Sequence, residues 1–70
     1  MKEICVRNRV REMREQSNLT QQELAGQIGV TRQTIGLIEA ERYNPTIKLC
    51  LRLALVFGKG LDDLFWVEEG

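Results

Sequence analysis

Arg32 and Gln33 are adjacent, and each ends in a planar group that holds two polar atoms side by side. A guanidinium donates two parallel N–H bonds and so fits O6 and N7 of guanine. A carboxamide donates and accepts at once and so fits N6 and N7 of adenine, each such pairing being worth about 1–3 kcal/mol of discrimination. The other reactive side chains offer less. There is no histidine to serve as a base, Asp62 and Asp63 are sequence neighbours that cannot converge on one substrate atom, and nothing beside Cys5 or Cys50 would activate a thiol. Catalysis is therefore not expected. Two cysteines without histidine cannot assemble a four-ligand zinc site or a disulfide framework within one chain. Cys50, in an apolar stretch, reads as packing. No metal, no cofactor and no small-molecule ligand are expected.

Base edges can be read only from an element that enters a groove, so the residues around Arg32 must build one. Thr20 followed three residues later by Glu23 is a capping-box pattern, which predicts a helix over about Gln21 to Ile28 with Leu24, Ala25 and Ile28 as its apolar stripe. Gly29 supplies the left-handed residue that ends it. Thr31 is the next N-cap, and a helix over about Arg32 to Ala40 would carry Ile35 and Ile38 inward and Arg32, Gln33, Gly36 and Leu37 outward. Two short helices joined by so tight a turn make a helix-turn-helix. Before it, a helix is expected over about Arg7 to Gln16, with Val6, Val10 and Met13 as its buried stripe. After it, Asn44-Pro45 marks a turn, and Thr46 can cap a fourth helix reaching about Phe57. Ile47, Leu49, Cys50, Leu53, Ala54 and Phe57 would form its inner face, while Leu51, Leu55 and Val56 make it apolar nearly all round. Gly58 ends it, and Leu61 to Phe65 make a short fifth helix with Asp62 and Asp63 near its positive end. From residues alone, the ends holding Ile4 and Val6 and holding Phe65 to Val67 are either strands or frayed.

The segments LTQQELAGQIGVTRQTIGLIE, YNPTIKLCLRLALVFG and LDDLF, taken in that order, resemble the phage-repressor and Cro-like helix-turn-helix family, also called the XRE family, from about Val10 to Phe65. The resemblance implies an all-α, five-helix repressor-like domain, extended by a small antiparallel two-stranded sheet from the N- and C-terminal ends. It implies base contacts at Arg32, Gln33, Gly36 and Leu37. It also implies a backbone-contacting loop at Arg42, Tyr43 and Asn44, and an ion pair between Arg14 and Glu39 that ties the first helix to the third. Gly36 and Leu37 depart from the hydrogen-bonding side chains frequent at these positions; Leu37 could touch a thymine methyl group or merely cover a neighbour. Gln21 at the first turn of the second helix, with Thr31 and Thr34, adds candidate phosphate contacts. The likeness further implies a homodimer through the fifth helix and the terminal sheet, for which Leu55, Leu61, Phe65, Trp66 and Val67 are the candidates. Trp66 could instead finish its own core.

Seventy residues leave room for one domain, spanning 1–70, with a core small enough that a partner subunit would help. The net charge is zero, but eight Lys and Arg against six Asp and Glu lie up to Lys48, and two against four from Leu49. So mild a basic excess predicts modest non-specific affinity, with specific contacts and two half-sites needed for occupancy. No apolar run approaches the roughly 20 residues of a membrane span and no signal-peptide layout opens the chain, so a cytoplasmic location is expected. The expected function is a sequence-specific regulator of transcription that binds double-stranded DNA. A repressor is preferred to an activator, because no added region recruits polymerase. The rival is an antitoxin-like or adaptor module that uses the same fold to hold a protein.

Overall fold

Three helices start where a threonine hydroxyl accepts a hydrogen bond from the backbone N–H three residues on. Glu23 donates to Thr20 at 3.0 Å, Thr34 to Thr31 at 3.2 Å and Leu49 to Thr46 at 3.2 Å. Each bond satisfies one of the amides that a helix start leaves unpaired. In the computed structural model, which describes residues 4–69, these caps open α2 (Gln21–Ile28), α3 (Arg32–Glu39) and α4 (Ile47–Phe57). The remaining elements are β1 (Ile4–Asn8), α1 (Val10–Gln16), α5 (Leu61–Leu64) and β2 (Phe65–Glu69). The five helices and terminal sheet match the architecture expected; residues 1–3 and 70 of the expected domain lie outside the described residues. Gly29 at φ +77° and Gly58 at φ +64° end α2 and α4 in the left-handed region that only glycine enters without cost. Arg52 Nη1 donates to the Ile28 carbonyl at 3.2 Å, closing the C-terminal end of α2 from α4.

The apolar stripes converge. Val10, Leu24, Ile35, Ile38, Leu53 and Leu64 are fully buried, one or two from each helix. Met13, Leu19, Val30, Val56, Phe57 and Phe65 pack around them, half buried. Cys50 is buried with them, and burial pushes its thiol above the ordinary cysteine range.

Two boundaries and two side-chain placements correct the sequence reading. The first helix begins at Val10, not Arg7, because residues 4–8 are taken up by antiparallel pairing with β2, Val6 opposite Val67 and Arg7 opposite Trp66. Val6 is therefore exposed on a strand and is no part of a helical stripe. Asn8 makes the changeover: its Oδ1 accepts from the Val10 N–H at 3.1 Å and its Nδ2 donates to the Ile38 carbonyl at 3.0 Å, fixing the ribbon to the end of α3. The fifth helix stops at Leu64, since Phe65 is already extended, pairing with Asn8. Ile47 faces solvent and is not on the inner face of α4.

Candidate nucleic-acid interface

The outer side of α3 carries Arg32, Gln33 and Leu37, all exposed, with Gly36 between them and half buried. Ile35 and Ile38, fully buried one step round the helix, fix that orientation, because the helix cannot rotate without drawing two isoleucines into water. The α2–α3 turn holds the helix start firmly: Thr31 caps it, and the Thr31 and Thr34 hydroxyls lie 3.0 Å apart in a shared hydrogen bond.

Behind Arg32 stands a chain of polar contacts. Arg32 Nη1 donates to Gln21 Oε1 at 3.2 Å, and Gln21 Nε2 donates to Glu39 Oε1 at 3.1 Å. Glu39 Oε2 accepts from Arg14 Nε at 2.7 Å, and Arg14 Nη1 donates to the Leu19 carbonyl at 2.9 Å. The Arg14 and Glu39 side chains are only 12% and 5% exposed, so this ion pair is shielded from solvent, unlike those on the surface. The bond to Glu39 holds the Arg14 guanidinium above its ordinary pKa and keeps it charged. The amide of Gln21 has one workable orientation here, its oxygen toward a cation and its nitrogen toward an anion. An arginine on the outer side of α3 is thereby referred, through one glutamine, to a buried pair that joins α1 to α3. Arg11, Arg14, Gln21, Gly36, Glu39 and Ala40 line a shallow hollow of about 290 Å³ beside this relay.

At the far end of α3 the chain turns out through Glu41, a non-glycine residue at φ +61°, with the Arg42 N–H donating to the Leu37 carbonyl at 2.9 Å. Arg42, Tyr43 and Asn44 follow, all exposed. Glu41 is tied to the ribbon: Arg7 Nε donates to its Oε2 at 2.9 Å and the Asn8 N–H at 3.3 Å. Arg7 also reaches Glu68 at 3.2 Å, and its guanidinium, bonded to Glu41 and flanked by Glu68, is held above its ordinary pKa.

Gln33, Gly36 and Leu37 thus share the outer side of α3 with Arg32, which Gln21 contacts from α2, whereas Thr31 and Thr34 bond each other at the helix start with Thr34 half buried, and Arg42, Tyr43 and Asn44 follow α3. The expected Arg14–Glu39 pair is present. Of the residues expected at a subunit contact, Leu55, Trp66 and Val67 are exposed, whereas Leu61 and Phe65 are half buried and Phe65 packs on the core. Trp66 lies outside the core cluster, with the Arg9 guanidinium 4.8 Å from its ring centroid. The sequence reading missed Asn8 and Glu41 as the joint between ribbon and α3. An asparagine two residues ahead of an apolar helical stripe was the available sign for Asn8; Glu41 gave none. Among the described residues, no helix is long and apolar enough to cross a membrane, and no cluster of Cys, Asp or Glu could hold a metal ion.

Residues 10–64 match the family model described as helix-turn-helix. The chain is 42% identical over 64 residues to an uncharacterized HTH-type transcriptional regulator of Archaeoglobus fulgidus, covering 91% of this chain and 90% of that one. It is 41% identical to the HTH-type regulator MJ0272 of Methanocaldococcus jannaschii and 38% identical to YgzD of Bacillus subtilis, in each case over 91% of this chain and 97% of the other. Among solved structures it is similar to a hypothetical transcription factor, NHTF, from Neisseria, with a TM-score of 0.71 and 26% identity. That match covers 77% of this chain and 62% of the Neisseria chain, so this protein spans less than two thirds of its length.

Proposed function

The chain belongs to the helix-turn-helix (XRE) family of transcriptional regulators, and on that premise we propose that it is a repressor that grips an inverted-repeat operator as a homodimer, with α3 in the major groove. One observation carries this reading: Arg32 projects from a helix whose orientation two buried isoleucines fix, and Gln21 aims its guanidinium. Arg32 pairs with guanine and Gln33 with adenine. Leu37 meets a thymine methyl, and Gly36, without a side chain, lets the backbone come close to the groove. Gln21, Thr31, Thr34, Arg42, Tyr43 and Asn44 hold phosphates and so set the register without reading sequence. The dimer contact uses Leu55, Leu61, Phe65, Trp66 and Val67, and the protein works where the DNA is, in the cytoplasm.

The two copies would present α3 to successive major grooves about 34 Å apart on one face of the duplex. Duplexes selected from a random pool should share a palindrome. Arg32→Ala and Gln33→Ala should each lose retention of that palindrome while their thermal melting and oligomeric state stay as in the wild type. If both substitutions left DNA retention untouched, and Leu55→Glu or Trp66→Ala alone disturbed the protein's interactions, it would be a protein-binding module instead.

A further inference from the structure

The exit of α3 is gripped by two consecutive residues of β1. The Ile38 carbonyl accepts from the Glu41 N–H and from Asn8 Nδ2, each at 3.0 Å. The Glu41 carboxylate accepts in turn from Arg7 Nε at 2.9 Å and from the Asn8 N–H at 3.3 Å. Three of these four bonds cross from the ribbon to the turn that follows α3. Glu41 itself stands at φ +61°, a left-handed conformation that glycine or asparagine adopts more readily than glutamate. A side chain kept at such a position against the preference of its backbone is a sign of use.

The place of this turn bears on DNA. Arg42, Tyr43 and Asn44 come next, and none of them is buried. Glu41 and Asn44 face Ile4, Cys5, Val6 and Arg7 across a hollow of about 460 Å³. With no buried anchor among its three residues, the loop takes its direction from the α3 exit, where the Arg42 N–H donates to the Leu37 carbonyl at 2.9 Å. Neither of the simpler accounts explains a glutamate here. A carboxylate next to a phosphate-binding arginine repels the duplex, and an ion pair whose side chains are 45% and 30% exposed contributes little to stability.

We infer that Glu41 is a positioning residue for DNA binding: by clamping the exit of α3 to β1 it sets where Arg42, Tyr43 and Asn44 meet the duplex backbone. The inference rests on the reading of that loop as a phosphate contact, and adds the device that aims it. Arg7 and Asn8 of the ribbon supply the donors, so the ribbon takes part in DNA binding without touching DNA.

Two neutral substitutions of Glu41, titrated with the selected operator at one fixed salt concentration, test this. Glu41→Asn suits the left-handed backbone but is one methylene too short to keep the clamp. Glu41→Gln keeps the reach and an acceptor oxygen. Both lose the same charge, so electrostatics alone predicts tighter and equal binding for the two, and backbone preference alone favours Asn over Gln. The clamp predicts the reverse order: Glu41→Asn should weaken operator binding by about fivefold, the equivalent of one ordinary hydrogen bond, and Glu41→Gln should recover most of it. Thermal melting and oligomeric state should stay as in the wild type. The Arg42 amide should exchange faster in Glu41→Asn than in Glu41→Gln without DNA present. In an Arg42→Ala background, Glu41→Asn should cost clearly less than in the wild type, because part of its effect runs through Arg42. If Arg42→Ala weakens binding while Glu41→Asn binds as tightly as wild type, or as tightly as Glu41→Gln, the clamp is wrong and the phosphate loop stands. A loss of affinity matched by early melting would also overturn the clamp. If Arg42→Ala, Tyr43→Ala and Asn44→Ala all leave affinity unchanged, the loop reading itself fails and the clamp with it.

Discussion

Arg32 has five N–H donors, and its bond to Gln21 occupies one, leaving enough for a bidentate grip on a base. Gln21 thus acts before DNA arrives, by narrowing the positions a long side chain would otherwise sample. Gln21→Ala should weaken operator binding by about 1 kcal/mol, the value of one ordinary hydrogen bond, against about 1–3 kcal/mol for Arg32→Ala. Titration of the selected operator checks both, and the two losses should be less than additive because they share one contact. Folding should change little, since Glu39 keeps both of its bonds to Arg14. Among single residues, those whose role is local were legible: the threonine caps depend on a partner three positions away, and the outward place of Arg32 depends on the isoleucines three and six positions on. The relay was not. Gln21 bonds residues 11 and 18 positions distant, and no local pattern distinguishes a glutamine that bridges two helices from one that only meets phosphate.

The helices owe their ends to identifiable bonds, and the best defined is the start of α2, where the Thr20 N–H donates to Glu23 Oε1 at 2.9 Å. That bond from the Thr20 amide, with the Thr20 hydroxyl beside it, favours the charged form and holds the Glu23 carboxyl below its ordinary range. A lowered folded-state pKa fixes the sign. The contribution of Glu23 to stability is complete above the unfolded carboxylate value, about 4.3, and is lost as pH falls from there through the folded value. Amide exchange at the α2 start, followed by NMR, should therefore quicken below that pH in the wild type. In Glu23→Gln that pH step should be absent. At this scale the sequence misled most at the start of the chain. Val6, Val10 and Met13 have helical spacing, while Ile4 and Val6 also alternate as a strand does, and both patterns are present in the same residues. Pairing with β2, some sixty positions away, decides between them, and no window of local residues contains that partner. The exposed position of Ile47 has a different cause: a helix apolar nearly all round does not say which side the core will take.

Over the whole molecule, the charge is divided between a mildly basic part that includes α1 to α3 and an acidic C-terminal part. Binding through the first part releases counterions from the duplex, so the logarithm of affinity should fall linearly with the logarithm of salt concentration. If Arg42 holds one phosphate per copy as proposed, Arg42→Ala should reduce that slope by about 1 per half-site and weaken binding to all sequences alike. A slope that Arg42→Ala leaves unchanged would remove the loop after α3 from the interface. The proposed contact between subunits is the part the sequence marks least, because a self-complementary surface leaves no periodic pattern. The central claim remains atomic: Arg32 reads a guanine through O6 and N7. The most direct measurement replaces each guanine of the selected operator in turn by 7-deazaguanine, which lacks the N7 acceptor, and determines affinity for wild type and Arg32→Ala. The account predicts one sensitive guanine in each half-site for the wild type, and no sensitivity there for Arg32→Ala. A guanine that matters equally to both proteins, or an operator in which none matters, would contradict it.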